Sequence, residues 1–369
     1  MRFLISIFLI LGVQTFAEIT PGGFSELKLK AENGDAESQV RLGELYAKGD
    51  GASTDYQVAA KWFRRAAEQG NADAQCNLGI AYEYGTGVRK DYIESYKWFR
   101  KAAEQGHASA QACLGWCYSK GEGITKDPVE AVKWYRKAAE QGIAEAQYQL
   151  GWRYSNYSED EGITKDPVEA VKWCRKAAEQ GYDLAQGLLG LCYSEGEGTT
   201  KDPVEAVKWC RKAAEQGHSH SQYLLGRCNF VGEGTTKDPV EAVKWYRKAA
   251  EQGHASAQGL LGLCYSEGEG TTKDPVEAVK WFRKAAEQGH AYAQYNLGVC
   301  YAKGEGVLKD IVEAYAYCNL AGITSEDARE NREKLEKQMT TSQIEAGQKR
   351  SKELQKEIEA KIAAKGEKK

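Results

Sequence analysis

The sequence predicts an all-α fold: an α/α superhelix, or solenoid, of about eight 36-residue helix-hairpin repeats with N- and C-terminal caps. Three observations carry this. Seven of the nine tryptophans, Trp62, Trp98, Trp134, Trp173, Trp209, Trp245 and Trp281, are 36 residues apart at every step except one of 39. Glycines keep the same interval twice per period, from Gly43 to Gly298 and from Gly34 to Gly289. Between them apolar residues recur three and four apart, the spacing of one helix face, and not two apart as in a strand. A single pair of short helices cannot bury its apolar stripe, so neighbouring copies must stack and the ends must be altered.

The chain opens with a segment outside this period. Arg2 is its only charge, a largely apolar run extends from Phe3 to Val13, and Thr15 and Ala17 are small residues where a signal peptidase reads. Residues 1–17 therefore predict a secretory signal peptide cleaved before Glu18. An uncleaved anchor is the alternative, but the apolar run would span only ~16 Å as a helix, about half a bilayer core. The expected location is secreted or periplasmic, with no transmembrane segment after cleavage. A net charge of −3 gives no basic excess for nucleic acid.

The fifth unit, Tyr182 to Gly217, shows the elements in order. Leu184 and Ala185, Leu188 and Leu189, then Cys192 and Tyr193 predict a first helix, A, with one apolar face. Ser194-Glu195-Gly196-Glu197-Gly198 breaks it, because two closely placed glycines suit a left-handed turn. Asp202-Pro203-Val204-Glu205 then starts a second helix, B: an N-cap, a proline where a missing N–H costs nothing, and a glutamate three past the cap. Val204, Val207, Trp209, Ala213 and Ala214 mark its length, and Gly217 ends it. Three extra residues between Tyr154 and Glu161 lengthen the first loop of the fourth unit and produce the single 39-residue step.

Eight units occupy residues 35–322, the last with Tyr317 in place of tryptophan. Residues 18–34 predict an N-terminal cap, since Ala31-Glu32-Asn33-Gly34 echoes the Ala-Glu-Gln-Gly close of helix B. Residues 323–369 predict a C-terminal helical cap and a charged tail, with Leu354, Ile358 and Ile362 spaced four apart.

The repeated pattern is Leu-Gly-x-x-Tyr, Gly-x-Gly, Asp, then Ala-x-x-Trp-aromatic-x-x-Ala-Ala-x-x-Gly. It resembles the Sel1-like repeat, a relative of the tetratricopeptide repeat. In the second unit it stands as Leu78-Gly79-Ile80-Ala81-Tyr82, Gly85-Thr86-Gly87, Asp91, Trp98-Phe99 and Ala102-Ala103-Glu104-Gln105-Gly106. Asn229 departs from it by replacing the helix-A tyrosine of the sixth unit. The resemblance implies a right-handed superhelix and an adaptor or scaffold role in protein complexes, often in the bacterial envelope or at host contacts.

Comparing the units with one another locates a candidate binding face. Helix B is nearly invariant, whereas helix A varies most three residues before and one residue after its glycine. These two positions lie four apart, on one helical face. They hold Val40/Glu44, Cys76/Ile80, Ala112/Trp116, Tyr148/Trp152, Gly187/Leu191, Tyr223/Arg227, Gly259/Leu263 and Tyr295/Val299. In solenoids of this type helix A lines the concave surface. Trp116, Tyr148, Trp152, Tyr223, Arg227 and Tyr295 are thus the expected partner-binding residues, aromatics and arginine being the commonest interface anchors. The alternative is drift among copies, with Trp116 and Trp152 packed between units.

Five of the ten cysteines lie two residues after the helix-A glycine and three follow the tryptophan position; Cys76 and Cys113 fit neither series. Cys192 with Cys210, and Cys300 with Cys318, are nearly equidistant from the turn joining their helices and so are candidate disulfides in an exported chain. The competing reading is a small apolar side chain in the core. A cysteine-rich branch of the resembled family places its cysteines elsewhere. No CxxC pair supports zinc, and His107, His218, His254 and His290 read as periodic turn residues. Asn156-Tyr157-Ser158 is a glycosylation sequon, meaningful only in a eukaryotic secretory pathway. No Gly-x-Ser-x-Gly, His-Glu-x-x-His or P-loop occurs, and no unique histidine stands near a unique nucleophile.

The expectation is therefore a non-enzymatic, cofactor-free, extracytoplasmic scaffold or adaptor that captures a protein or peptide on the helix-A face. A cell-envelope hydrolase is one alternative. The other is a structural envelope protein self-associating through Leu354, Ile358 and Ile362.

Overall fold

The computed structural model describes residues 21–49, 53–156 and 162–366. The leader expected over residues 1–17 lies outside them, as do Tyr157 and Ser158 of the sequon. Among the described residues there are 19 helices and no strand. Helix α1 (Pro21–Glu32) precedes the repeats. The first four hairpins follow as α2 (Ala36–Lys48) and α3 (Tyr56–Glu68), α4 (Ala72–Tyr84) and α5 (Tyr92–Glu104), α6 (Ala108–Lys120) and α7 (Pro128–Glu140), α8 (Ala144–Asn156) and α9 (Pro167–Glu179). The remaining four are α10 (Asp183–Glu195) and α11 (Pro203–Glu215), α12 (Ser219–Val231) and α13 (Pro239–Glu251), α14 (Ala255–Glu267) and α15 (Pro275–Ala286), α16 (Ala291–Lys303) and α17 (Ile311–Ala321). Two further helices, α18 (Glu326–Glu336) and α19 (Thr341–Gly366), close the chain. The fold is an α-solenoid of helical hairpins, and it divides into two compact units, Met1–Ala185 and Gln186–Lys369.

Local chemistry sets the helix ends as the sequence predicts. The Asp202 carboxylate accepts from the N–H groups of Val204 and Glu205, and Pro203 opens α11. Asp55, Asp91, Asp127, Asp166, Asp238, Asp274 and Asp310 cap the other B helices in the same way. Glu205 does not complete a reciprocal box. Its carboxylate instead accepts from Lys208 Nζ at 2.8 Å and from the Trp209 indole at 3.1 Å. The histidines read as turn residues are N-caps of A helices, with His107 Nδ1 accepting from the Ala110 N–H at 3.1 Å.

Two glycines per hairpin are fixed by close approach. A Cβ on the helix-A glycine would strike the residue that follows the tryptophan position of the same hairpin. The clash would fall 2.6 Å from a Phe99 ring carbon for Gly79, 2.9 Å from Tyr135 for Gly115 and 2.3 Å from Cys174 Sγ for Gly151. The second loop glycine has positive φ and lies on the start of the preceding B helix. A Cβ on Gly87 (φ +72°) would sit 1.9 Å from the Tyr56 carbonyl oxygen.

Packing joins each hairpin to its neighbour. In the first unit Trp98 is buried with Phe63 and Leu78, and Trp173 with Tyr135 and Leu150. In the second, Trp245 is buried with Val207 and Leu225, and Trp281 with Tyr246 and Leu261. These four indoles thus join the B helix of the preceding hairpin to the A helix of their own. A polar staple runs beside this core. Buried Gln75 donates to the Ala67 carbonyl at the end of α3 at 3.1 Å, and its own oxygen accepts from Gln105 at 2.8 Å. The same arrangement links Gln111 with Ala103 and Gln141, and Gln222 with Ala214 and Gln252.

At the C-terminus, α19 packs against α17. Leu354 and Ile358 are buried in one cluster with Phe282, Leu297 and Tyr317, while Ile362 remains 52% exposed. Arg350 Nε lies 2.7 Å from Glu313, and Lys361 Nζ lies 3.0 Å from Glu287. The stripe expected to be available for self-association is therefore spent within the chain, because the last hairpin has no following tryptophan to cover it.

Candidate partner-binding groove

In the first unit the variable faces of α4, α6 and α8 bound two adjoining hollows that share Trp116. The first, a narrow recess, is walled by Ile80, Glu83 and Tyr84 of α4, Cys113 and Trp116 of α6, and Glu145 of α8. The second, of about 900 Å³, lies among Trp116, Lys120 and Lys126 on one side and Tyr148, Trp152 and Arg153 on the other. Three of the six residues singled out from sequence thus meet at one place.

Their surroundings differ. Trp152 is 39% exposed. Trp116 is half-buried against the core of its own and the next hairpin; its indole donates to Glu122 Oε2 at 3.1 Å, and Lys120 Nζ lies 4.8 Å from its ring. Tyr148 leans on Tyr182 with ring centroids 5.4 Å apart. The two tryptophans thus differ: Trp116 contributes to packing, and Trp152 is partly open to solvent.

The two hollows differ in their ionisable groups. Burial, and then the charge of Glu122, pushes the Glu83 carboxyl up to about 7, and burial also raises that of Glu145. The second hollow is cationic, with Lys120, Lys126 and Arg153. Arg153 is itself buried. Its guanidinium lies 4.7 Å from the Tyr135 ring centroid and donates to Gln149 Oε1 at 2.7 Å and to Ser119 Oγ.

In the second unit, Tyr223 and Arg227 come together, with Arg227 Cζ 5.9 Å from the Tyr223 ring. The opposite side of that pair is occupied: Tyr223 stacks on His254 at 4.7 Å, and His254 Nε2 is 3.3 Å from His220 Nδ1. Tyr295 stands apart from the others. Its hydroxyl accepts from Asn331 Nδ2 of α18 at 2.9 Å, so it serves the C-terminal cap.

All ten cysteines are thiols. The candidate bridges Cys192–Cys210 and Cys300–Cys318 are not formed. Cys210 Sγ lies where a Cβ on Gly190 would be 2.6 Å away, and Cys318 Sγ faces Gly298 likewise at 2.9 Å. Both thiols fill the seat taken by Phe or Tyr in other hairpins. Among the described residues no group of three or more His, Cys, Asp or Glu side chains could hold a metal ion, and no helix is long and apolar enough to cross a membrane.

Several residues escaped the sequence reading. Glu145 lies three before Tyr148 on the same face, so the variable stripe extends one turn further; Asp73 and His220 hold the equivalent position. Arg153 occupies the place two after the helix-A glycine where five hairpins have cysteine. His107, one of the periodic histidines, comes close to a cysteine that the sequence reading had not joined to it. Its Nε2 is 3.0 Å from Asp73 Oδ1, and its ring is hydrogen-bonded to the Cys76 thiol.

The Sel1 repeat family matches this chain eight times, at residues 36–71, 72–107, 108–143, 144–182, 183–218, 219–254, 255–290 and 291–322. A Sel1 repeat protein from Oxalobacter formigenes is similar in crystal structure, with 35% identity over 86% of this chain and 92% of that one and a TM-score of 0.61. A protective antigen present in uropathogenic Escherichia coli strains, displaying an SLR fold, shares 31% identity over 94% of this chain and 97% of that one, with a TM-score of 0.43. No curated protein matches the chain. Proteins built of these repeats are generally protein-interaction scaffolds. Eight consecutive repeat matches covering most of the sequence, on a chain of stacked hairpins, make this protein a member of the Sel1 repeat family.

Proposed function

We propose that this protein is an extracytoplasmic scaffold that captures a polypeptide segment in the groove formed by α4, α6 and α8. The observation that carries the reading is Trp152, 39% exposed beside a hollow of about 900 Å³ and flanked by Tyr148 and Trp116. A large exposed indole in a concave, aromatic-lined site is the usual anchor of an interface. The charge pattern supports a particular segment: a Lys or Arg side chain on the Glu83/Glu145 side, an apolar residue against Trp152, and a carboxylate towards Lys120 and Lys126. Export is supported by the leader pattern of residues 1–17.

The test is a selection from a random peptide library on the full chain, followed by calorimetric titration of the winners. Selected peptides should pair a basic residue with a nearby apolar one. The Trp152→Ala/Tyr148→Ala double variant should weaken binding at least about tenfold, as expected for loss of anchor residues, with the melting temperature nearly unchanged. Equal affinity for the variant would place the binding surface elsewhere.

A further inference from the structure

Cys76 and Cys113 belong to neither cysteine series of the repeat, yet the fold brings them together. Cys76 lies on α4, buried in a cluster with Phe99 and Leu114, and Cys113 on α6 packs against that same cluster, so that each thiol shifts the ionisation of the other. Cys76 also bonds to His107, which is anchored on Asp73 at 3.0 Å. Cys113 is partly exposed and lines the first hollow beside Glu83 and Glu145.

We propose that Cys76 and Cys113 are a redox-active dithiol, oxidised by exchange with a small cationic disulfide that enters this hollow, and that the product disulfide clamps the second repeat to the third. The Cys113 sulfur attacks one sulfur of the reagent as its proton passes to the Cys76 thiolate, forming a mixed disulfide and releasing one small thiolate, which takes that proton from Cys76 in turn. Cys76, as thiolate, then attacks the Cys113 sulfur and expels the second. Two protein thiols and one small disulfide become one protein disulfide and two small thiols, and the two thiol protons pass to the leaving sulfurs.

The surroundings favour this pair over the other cysteines. The hydrogen bond from Cys113, against burial, holds Cys76 down at about 6, with His107 adding to the effect; the same bond raises Cys113, so one thiolate is shared between the two sulfurs. By contrast, burial pushes the thiols of Cys117 and Cys210 up to about 12, and those of Cys264, Cys300 and Cys318 up to about 11. Thiolate character decides exchange rate. Glu83 and Glu145 line the hollow and, once ionised, favour a cationic reagent. The proposal does not depend on partner capture in the groove.

The experiment treats the full, reduced chain with cystamine and follows intact mass and peptide maps under non-reducing conditions. The expected result is early loss of two thiols without added mass, a peptide link between Cys76 and Cys113, and a higher melting temperature that dithiothreitol reverses. In Cys76→Ala the cystamine half should remain attached to Cys113. A link between Cys113 and Cys117, adducts spread over the other cysteines at the same rate, or ten unreacted thiols would overturn the proposal. The wild-type map decides it even if the variant folds poorly.

Discussion

Gln69 Nε2 lies 2.8 Å from Gln39 Oε1, joining the end of the first B helix to the A helix before it, and Gln39 in turn donates to the Ala31 carbonyl at 2.9 Å. Gln75, Gln111, Gln147, Gln222 and Gln258 likewise satisfy the end of the preceding B helix and are held by the glutamine that closes their own hairpin. Replacing Gln111 by Ala removes the donor to the Ala103 carbonyl and the acceptor of Gln141. Stability should fall by about 1–3 kcal/mol, the range for a buried polar group left unpaired, as read by denaturant unfolding.

The glycine–thiol contact predicts a coupled pair. Gly190→Ala should destabilise by about 1–3 kcal/mol through overpacking, because its Cβ would meet Cys210 Sγ at 2.6 Å. Cys210→Ala in the same chain should recover part of that loss, and the double-mutant cycle should show a non-zero interaction energy. Additive single effects would mean the two residues do not touch.

Glu83 predicts a trade between stability and capture. Its carboxyl is raised from 4.5 to about 7, so the folded chain keeps this proton longer than the unfolded one. Stability is therefore lost as pH rises from about 4.5 through about 7. Glu83→Gln should be more stable than the parent at pH 8 and about equal at pH 4, and should bind basic peptides less tightly. Paired urea titrations at the two pH values check the sign.

In the second unit the sign reverses in histidine. Burial, then the neighbouring His220, His290 and His218, lowers His254 to about 4, and burial lowers His220. The unfolded chain takes up protons below about 6.5 while these rings do not, so stability is present at neutral pH and lost as pH falls from 6.5 towards 4. His254→Asn keeps a capping side chain, as Asn71 does in the second repeat, and should flatten the acid limb of the midpoint-versus-pH curve. His107 behaves oppositely. Burial pulls it down, but hydrogen bonds to Asp73 and Cys76 and their charges carry it up to about 10. Its contribution is complete below 6.5 and is lost as pH rises towards 10.

The leader pattern gives a direct check. Protein recovered from the producing cell should begin at Glu18 by N-terminal sequencing, and Ala17→Arg should prevent that cleavage.

The architecture was legible because its determinants are local and repeated: Asp202 before Pro203, glycines at fixed intervals, one tryptophan per period. Half of the groove was legible for the same reason, since Tyr148 and Trp152 share a face of one helix. Contacts that depend on how one A helix lies beside the next were not. Asp73, Cys76, His107 and Cys113 converge only once α4 and α6 are placed, and nothing in their spacing is periodic. Arg153 was hidden among cysteines at a core position, where a charged residue is normally excluded unless paired. The contacts of Tyr295 and of Leu354 and Ile358 with the closing segment were not legible, because the repeat pattern does not describe those last helices.

Trp98, Trp173, Trp245 and Trp281 each cover the B helix of the hairpin that came before, and α19 covers the last hairpin. Dependence along the chain is consequently one-way: a hairpin leans on its successor for cover more than on its predecessor. Copies can be gained or lost in the interior without disturbing this order, whereas trimming the C-terminal helix unroofs the final hairpin and should start the chain unravelling from that end.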